Sequence, residues 1–389
     1  MLAVIWLAVL ACFARPLWAR WREPTFSCPI LILESDDWGA GPTAQADALT
    51  ALTTLLDKFR NRHQEKPVVT LGIVLEVADR DAMRVEESIR YIAASLESPP
   101  LVAVLKNIKA GISAGVFAPQ LHGAAHYWPD TLMRLAMTNT QVHAWLAQPG
   151  LGWTEALPAA VQSRWIDVST LPSLTLDEAD VKAAVANEIK HWTSIFGAPP
   201  TVAVPTTFVW TEAVETALAN AGIQTLVTPG ARYPGRGADG RLVAADRMML
   251  NGDRGDSGIL FVVRDIYFEP ALGHTEAGLL EALAEKIKRG RPALAEMHRF
   301  NFCGPNALAT SYDVLAHALE TILARWPDLR FMSTEALANH IRTQDPRWIE
   351  CGLVGRLSAW AWRALDLRDF RRVAMLSGLI LPLLLLQRL

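Results

Sequence analysis

The 389-residue chain has few cysteines, no excess of basic charge and no long apolar run. Its four cysteines occur singly, without a C-x-x-C pair, which argues against a disulfide framework and against a thiolate zinc site. Lys and Arg number 37 against 40 Asp and Glu, so the net charge of −3 predicts no nucleic-acid partner. Apolar runs of about 20 residues, the length that crosses a bilayer, are also missing.

The composition predicts a folded chain with a substantial core. Hydrophobic residues make up 51% and charged residues 20%, which excludes wholesale disorder. The length allows two or three domains or one large barrel. Fourteen Trp residues against five Tyr residues suit sugar stacking or a membrane interface, but Trp is also a large core residue.

The beginning of the chain is apolar and is followed by arginines. Residues 2–13 form a run of about twelve mainly apolar residues, after which come Arg15, Arg20 and Arg22. The run is too short to span a bilayer and lacks a preceding basic residue, so a signal-like segment, a short anchor and a buried strand remain open. We predict that residues 1–24 form an apolar segment of the anchor or signal-like kind.

The end of the chain has a similar character. Residues 353–372 place apolar and Trp positions at helical spacing among arginines, and residues 373–386 form an apolar run. A basic amphipathic helix of this kind is typical of a membrane surface, so we predict that residues 346–389 form a membrane-associating tail. The alternative is a C-terminal helix packed on the rest of the fold.

The middle of the chain alternates short apolar runs with amphipathic stretches, which predicts an α/β fold. The apolar runs predicted as buried parallel strands are Pro29–Leu33, Val68–Leu75, Gly115–Leu121, Thr201–Val204, Gln224–Val227, Ile259–Val263, Ala293–Ala295 and Leu329–Met332. The predicted helices include Ala44–Arg62, Asp177–Phe196, Thr211–Ala221, Glu276–Lys288 and Ser311–Trp326. About eight strands within residues 25–345 favour a single (β/α) barrel over two open sheets.

Two of these strands lead into groups of potential metal ligands. The first ends in Asp36 and Asp37, and the third ends in His122, with His126 four residues later. Adjacent carboxylates after a buried strand repel each other, and a bound cation would relieve the repulsion; an acidic helix cap is the alternative. Two imidazoles four residues apart face the same way on one helical turn and reach one ion. With a carboxylate they form a facial triad.

A later strand ends in His298, followed by Arg299 and Asn301. This polar group at a third strand end is typical of an active site, with Arg299 and Asn301 as candidates for substrate binding, although a core histidine beside an exposed arginine is the alternative.

Aromatic residues lie beside the metal motifs. Trp38 follows the aspartate pair, and Tyr127 and Trp128 follow the histidine pair. These rings are predicted either to stack on sugars or to pack around the mouth of the barrel.

The order Asp-Asp, His-x-x-x-His and a late strand-end His resembles the polysaccharide deacetylase (NodB homology) superfamily, carbohydrate esterase family 4. The segment 326–337 is similar to the last strand and helix of that superfamily. More narrowly, SDDWG, QLHGAAH, Phe268-Glu269-Pro270 and MHRFNF look like the polysaccharide (de)acetylases of bacterial surface-polysaccharide clusters. The resemblance covers residues 28–345 and implies a distorted, seven- or eight-stranded TIM-like deacetylase barrel.

The resemblance implies a metal-dependent hydrolase that removes an N- or O-acetyl group from a carbohydrate in surface-polysaccharide metabolism. Asp36 would be the general base, and His298 would be the general acid that protonates the leaving amine. Asp37, His122 and His126 would hold one divalent ion, with Zn expected and Co, Ni or Mn as alternatives.

The sequence departs from the family pattern in its third motif. The family places an arginine before a Pro-rich turn, whereas residues 201–208 keep the proline but contain no arginine. The carboxylate that orients the base is also not obvious. Arg264, Asp265 and Glu269 are candidates for these roles, and a backbone N–H group near Thr206 is the candidate for a second oxyanion donor.

We expect a carbohydrate partner, free or lipid-linked, a membrane surface that meets both termini, and no nucleic acid. The arginines beside the apolar segments favour the cytoplasmic face of a bacterial inner membrane over the periplasmic face.

Three rival functions remain open. One is a glycoside hydrolase that uses Asp36 or Glu269 in a pair of carboxylates and needs no metal. Another is a catalytically impaired, glycan-binding member of an assembly complex. The third is a purely structural, membrane-associated barrel.

Overall fold

We describe the protein from a computed structural model, which describes residues 2–85 and 90–388. Its centre is a parallel sheet. The nine strands are β1 Ile30–Gly39, β2 Val69–Val74, β3 Phe117–Leu121, β4 Val202–Ala203, β5 Thr225–Thr228, β6 Leu260–Val263, β7 Ile266–Tyr267, β8 Ala293–His298 and β9 Arg330–Phe331. They lie in the order β6-β5-β4-β3-β2-β1-β8-β7, and β9 pairs with the first two residues of β1.

The α/β class predicted from the sequence is confirmed. Each of the eight predicted apolar runs overlaps a strand, and the ninth strand, β7, follows β6 after only Arg264 and Asp265. Strands β6 and β7 occupy the two ends of the strand order, so a single short segment joins the two edges of the curled sheet. This arrangement agrees with an α/β barrel, in which the carboxyl ends of the strands meet around one opening.

The helices are α1 Leu2–Cys12, α2 Ala14–Arg22, α3 Gln45–Leu56, α4 Arg80–Val85, α5 Val102–Ser113, α6 Pro129–Thr138, α7 Thr140–Ala147, α8 Glu178–Phe196, α9 Glu212–Asn220, α10 Glu276–Lys288, α11 Thr310–Arg325, α12 Thr334–Thr343, α13 Leu353–Leu365, α14 Arg368–Leu376 and α15 Ile380–Leu386. Short antiparallel pairs join Glu76–Ala78 to Ala93–Ser95, Ile166–Asp167 to Leu174–Thr175, and Ala231–Arg232 to Arg247–Met248. Helices α3, α8, α9, α10 and α11 coincide with the predicted amphipathic stretches.

The core changes from apolar to polar along the length of the strands. All ten residues of β1 are buried, and its side chains alternate between the two faces of the sheet. Ile30 and Ile32 pack with β6 and β8 in a cluster near the amino ends of the strands. On the same face further along β1 come Glu34 and Asp36. A hydrophobic base therefore supports a polar group at the carboxyl ends.

Strand β1 has an irregular end. Ser35 pairs with Leu71 of β2 and Trp38 pairs with Ile73, so three steps along β1 match two along β2. Asp37 lies within this bulge and has a φ of 73°, a left-handed conformation that is uncommon outside glycine. The bulge places two consecutive aspartates at the end of a single strand.

Helices α1 and α2 pack with α13, α14 and α15 around a separate apolar cluster that includes Val9, Leu17 and Phe370. Among the described residues, no single helix has the length and apolar character needed to cross a membrane. Helices α1 and α2 together meet those criteria of length and composition, but they are bent by 71° relative to each other.

Candidate metal centre and the surrounding site

Asp37, His122 and His126 come together at the carboxyl ends of β1 and β3. Asp37 Oδ1 lies 3.4 Å from His122 Nε2 and 3.0 Å from His126 Nε2, and the two imidazole centroids are 5.0 Å apart. All three side chains are buried, and one potential ligand atom from each lies within 4.8 Å of the others. Their chemistry matches the two-His, one-carboxylate set that leaves positions open for other ligands.

The spacing of the two histidines predicted a helical turn, but the structure has none here. His122 follows β3 directly, and residues 122–128 form an irregular loop that precedes α6. Gly123 reverses the chain with a φ of 96°, a conformation that glycine adopts without steric cost. The loop therefore brings the two imidazoles together in a way that periodicity does not describe.

The hydrogen bond made by His122 indicates that a cation fits this site. His122 Nδ1 lies 2.9 Å from the carbonyl oxygen of Val204, which can only accept a hydrogen bond. In a neutral imidazole the proton must therefore sit on Nδ1, and Nε2 presents a lone pair toward Asp37 Oδ1. That oxygen is buried without a hydrogen-bond partner among the described residues. Two facing acceptors require a cation or a proton between them.

Electrostatics support the same conclusion. Burial opposes ionisation of Asp37, but His126, His122 and His298 together outweigh it and hold the pKa of Asp37 well below its ordinary value. Burial also disfavours a charged His122, yet the carboxylates of Asp36 and Asp37 raise the pKa of His122. The site therefore stabilises positive charge between its three side chains.

Arg264, one of the candidates for the roles missing from the third motif, lies among the carboxylates of the site. It is 1% exposed, and it donates from Nη2 to Asp36 Oδ2 at 2.6 Å and from Nη1 to Glu34 Oε2 at 2.7 Å. Its Nε lies 3.2 Å from Glu296 Oε2, and its guanidinium lies over the Phe208 ring. One guanidinium therefore bridges three buried carboxylates.

Arg264 also favours the ionised form of Asp36. Burial alone would raise the pKa of Asp36, but Arg264, together with His122 and His298, outweighs burial and holds that pKa below its ordinary value. Asp36 Oδ1 is buried without a hydrogen-bond partner among the described residues. For Glu34 and Glu296, burial raises the pKa despite Arg264. Asp265, another of the three candidates, instead pairs with Lys286.

His298 at the end of β8 is held by Glu269. Its Nδ1 lies 2.5 Å from Glu269 Oε1, and Asn301 donates to Glu269 Oε2. Burial lowers the pKa of His298, but Glu269, with smaller contributions from Asp37 and Glu296, outweighs burial and raises that pKa to about 10. The Phe300 ring stacks against the imidazole at 5.6 Å. His298 is therefore protonated at neutral pH, and Glu269 and Asn301 orient it from behind.

Arg299 does not reach the cleft as a substrate ligand. It is 1% exposed, donates from Nε and Nη2 to Glu155, and lies over the Trp153 ring. The predicted contact with substrate is therefore corrected, because the guanidinium is already paired. Its partner Glu155 lines the cleft in its place.

The aromatic residues occupy other positions than the sugar-stacking prediction requires. Trp38 is fully buried, stacks on Phe302 and donates from Nε1 to Ser35 Oγ at 2.8 Å, so it cannot meet a sugar. Tyr127 is also fully buried, and its hydroxyl accepts a hydrogen bond from the N–H of Ala78 at 2.8 Å. Trp128 lines a neighbouring cleft with Arg164, where its ring lies under the guanidinium. For Trp38 and Tyr127 the packing alternative is correct.

The turn after β4 contributes backbone to the cleft. Thr207 and Phe208 have φ values of 52° and 55°, two consecutive non-glycine residues in the left-handed region. The N–H of Phe208 donates to the Pro205 carbonyl, so it is not free for an oxyanion. The Thr206 side chain is buried and accepts from the N–H of Arg164, which makes it a support of this turn.

These groups surround one cleft with a volume of about 270 Å³. Its lining residues are Asp36, Asp37, His122, His126, Glu155, Gln162, Pro205, Thr207, Phe208, Arg264, Glu296, His298 and Phe300. Glu34, Glu155, Gln162 and Glu296 were missed from the sequence. For Glu34 and Glu296 a signal existed, because each lies two residues before a predicted site residue on the same strand and so faces the same way. Glu155 lies in a single 3-10 turn and Gln162 in a loop, and neither has such a pattern.

Part of the sequence matches a known family, and the structure is similar to several solved structures. A model of glycosyl hydrolase family 57 matches residues 168–257, a stretch that contains Thr206 but none of the aspartates and histidines of the cleft. No curated protein matches the chain.

Several solved structures are similar at low sequence identity. A 4-alpha-glucanotransferase from Thermococcus litoralis is 12% identical with a TM-score of 0.41 over 80% of this chain, which spans only 40% of that enzyme. A family 4 carbohydrate esterase from Streptomyces lividans is 11% identical with a TM-score of 0.35, over 78% of this chain and 93% of the other. The peptidoglycan deacetylase PdaC from Bacillus subtilis is 8% identical with a TM-score of 0.35, over 82% and 93%. The matched family and all three structures are of carbohydrate-active enzymes.

Proposed function

We propose that this protein is a metal-dependent hydrolase that removes an acetyl group from a carbohydrate. The observation that carries the proposal is the orientation of His122, whose bond to the Val204 carbonyl points an Nε2 lone pair at the unpartnered Asp37 Oδ1. Asp37, His122 and His126 would hold the ion, most readily zinc. A divalent ion in this position supplies a Lewis acid that polarises a carbonyl and acidifies water.

Asp36 would act as the general base. Its Oδ2 is fixed by Arg264 and its Oδ1 carries no hydrogen bond, so one lone pair is available for a proton from water. The lowered pKa keeps the carboxylate ionised, which is the form that accepts a proton.

His298 would act as the general acid. It lies on the strand next to β1, where Asp36 and His298 are register partners, and its raised pKa keeps a proton on the imidazole. Glu269 occupies Nδ1, so Nε2 is the atom that would deliver a proton to the leaving group. A base and an acid whose pKa values are shifted in opposite directions suit hydrolysis of an amide or ester.

Acetate release from N-acetylated chito-oligosaccharides, measured with the full chain before and after chelation, tests this function. We expect chelation to abolish release, and Zn²⁺ to restore it. The His126→Ala variant should lose both bound metal and acetate release, while His317→Ala, a histidine exposed on α11, should keep both. Acetate release that persists in metal-stripped protein would refute the proposal.

A glycoside hydrolase is the second candidate. Ligand atoms of Asp36, Glu296 and His298 lie within 4.8 Å of one another, so two carboxylates do meet in the cleft. The pair that uses Glu269 is less suitable, since both oxygens of Glu269 are engaged by His298 and Asn301. New reducing ends released from a glycan in the presence of chelator would favour this alternative.

A further inference from the structure

The two ends of the chain build one structural unit, which we call the terminal helical unit: α1, α2, α13, α14 and α15. Its interior includes Val9 and Leu383 from opposite ends of the sequence. Trp6 donates from Nε1 to the Ser377 carbonyl at 2.9 Å, and Trp360 donates to that of Leu17 at 3.0 Å. The apolar segments that look independent in the sequence therefore fold against each other.

The outer surface of this unit is unusually apolar. Twelve of the 21 large hydrophobic side chains that are exposed in the described chain belong to it. They are Leu2, Val4, Ile5, Leu7, Trp18, Leu353, Val354, Met375, Leu376, Leu381, Leu384 and Leu385. Such a concentration on one small unit indicates a surface that something else covers.

Arginines frame these apolar side chains. Helices α1, α2 and the stretch from α13 to Arg388 contain nine arginines and two aspartates, in a chain whose net charge is −3. Six of the arginines are exposed: Arg15, Arg22, Arg368, Arg371, Arg372 and Arg388. The unit is therefore strongly basic where the chain as a whole is weakly acidic.

Basic and apolar residues share the same helical faces. On α14, Arg368, Arg371, Arg372, Met375 and Leu376 follow the i, i+3, i+4, i+7, i+8 spacing of one exposed face. Helix α15 continues with exposed leucines and ends beside Arg388. The apolar centre of the surface is thus bordered by arginines at both ends.

We propose that the terminal helical unit binds the surface of a bilayer containing anionic phospholipids. Leucine side chains would enter the upper part of the acyl-chain region while the arginines pair with lipid phosphates. This arrangement places apolar groups among acyl chains and positive charges among anionic headgroups. The bend of 71° between α1 and α2, and the break between α14 and α15, suit helices that lie in the interface.

The attachment of the unit determines which way the cleft faces. Arg363 of α13 is 1% exposed and donates to the carbonyl oxygens of Glu23, Pro24, Arg289 and Gly290. These residues precede β1 and β8, so the unit covers the amino ends of the strands. His298 is at the opposite end of β8, about 20 Å away for a six-residue strand. The bound molecule would open its cleft away from the bilayer.

This orientation limits the substrate, a consequence that rests on the proposed function. The sugar of a lipid-linked glycan that is directly attached to a headgroup would lie at the bilayer surface, out of reach of the cleft opening. The accessible substrates are carbohydrates in solution and glycan chains that extend beyond about 20 Å from the surface.

Vesicle flotation of the full-length protein tests the docking surface separately from catalysis. We expect binding to phosphatidylcholine vesicles that contain phosphatidylglycerol and at least tenfold weaker binding to phosphatidylcholine alone. The double variant Arg371→Glu, Arg372→Glu and the double variant Leu376→Gln, Leu385→Gln should each weaken binding at least tenfold. Arg241→Glu and Met137→Gln, which change side chains that are 88% and 89% exposed on the barrel, should bind like the parent protein.

Two results would overturn the docking proposal. One is the absence of binding to either vesicle by protein with an unchanged circular dichroism spectrum. The other is a dimer in sedimentation equilibrium that the leucine variants dissociate, since the partner of the surface would then be a second copy.

Fluorescence quenching by nitroxide-labelled lipids tests the orientation. A dye on Leu376→Cys should be quenched by vesicles, whereas a dye on Leu272→Cys, near the cleft and 67% exposed, should not. Serine replacements of Cys12, Cys28 and Cys351 prevent background labelling. Equal quenching of the two dyes would overturn the orientation.

Discussion

Arg264 Nη2 donates to Asp36 Oδ2 at 2.6 Å. This buried bond connects the segment between β6 and β7 to the carboxyl end of β1. The same guanidinium also meets Glu34 and Glu296. Removing it leaves three buried carboxylates without their shared cation. We predict that Arg264→Met lowers the free energy of unfolding by about 3–5 kcal/mol in urea titrations at pH 7.

The pH dependence provides a check on that prediction. Without Arg264, the folded state should bind protons on these carboxylates more tightly than the unfolded chain does, so the loss should shrink as the pH falls. The matched control Arg241→Met removes an arginine that is 88% exposed, and its effect should stay within about 0.5 kcal/mol. A loss that is the same at pH 5 and pH 8 would contradict this explanation.

Asp36 and Asp37 are neighbours in sequence, but replacing each of them should have a different effect. Asp37→Asn should reduce bound metal at least tenfold, because the amide replaces the one anionic ligand. Asp36→Asn should keep the metal and slow acetate release by about 10²–10⁴-fold, the usual effect of losing a general base. Elemental analysis and acetate assays on both variants separate the two roles, and equal metal loss in both would contradict the assignment.

Gly72 of β2 is required by the position of Asp36. A Cβ atom on Gly72 would collide with the Asp36 carboxylate. We predict that Gly72→Ala displaces the carboxylate, costs about 1–3 kcal/mol in urea unfolding and slows turnover to the level of Asp36→Asn. Gly278→Ala on α10 is the control, since its Cβ would meet only Thr275 Oγ1 at 3.7 Å. Normal turnover in Gly72→Ala would show that Asp36 is not needed in this position.

Glu269 should set the alkaline limit of activity. Its carboxylate is the main group that raises the pKa of His298 to about 10, so the proton donor is lost only above that pH. Glu269→Gln removes the charge, and we expect the alkaline limb of the pH–rate profile to move to lower pH. The raised pKa also contributes stability that is fully present below the ordinary histidine pKa and is lost as the pH rises through about 10. An unshifted alkaline limb would exclude His298 as the donor.

The strands were predictable because each is a short apolar run buried on both faces. Strand β7 was missed because two residues, of which Tyr267 is 54% exposed, carry no apolar pattern. The aspartate pair and the histidine pair could be identified by residue type and spacing. The histidine spacing predicted a helical turn wrongly, since Gly123 allows a loop that brings the same side chains together.

The supporting partners were harder to find in the sequence. Arg264 reaches Asp36 across 228 positions, and Glu155 reaches Arg299 across 144, so local patterns do not reveal either pair. The sequence leaves the role of Trp38 open because its neighbours are polar, whereas the bulge in β1 turns its ring into the core. The packing of the two chain ends against each other depends likewise on contacts between distant residues.

The contacts of Arg363 indicate that removing the C-terminal helices would destabilise the rest of the protein. A chain shortened before α13 would lose the donor that satisfies carbonyl groups beside β1 and β8, and unsatisfied buried carbonyls cost about 1–3 kcal/mol each. The shortened protein would also uncover Leu17 and Val9 to water. A low yield of soluble protein after such a truncation would therefore result from unpaired carbonyl groups at the amino ends of the strands. Adding detergent or lipid to the full-length protein avoids this loss.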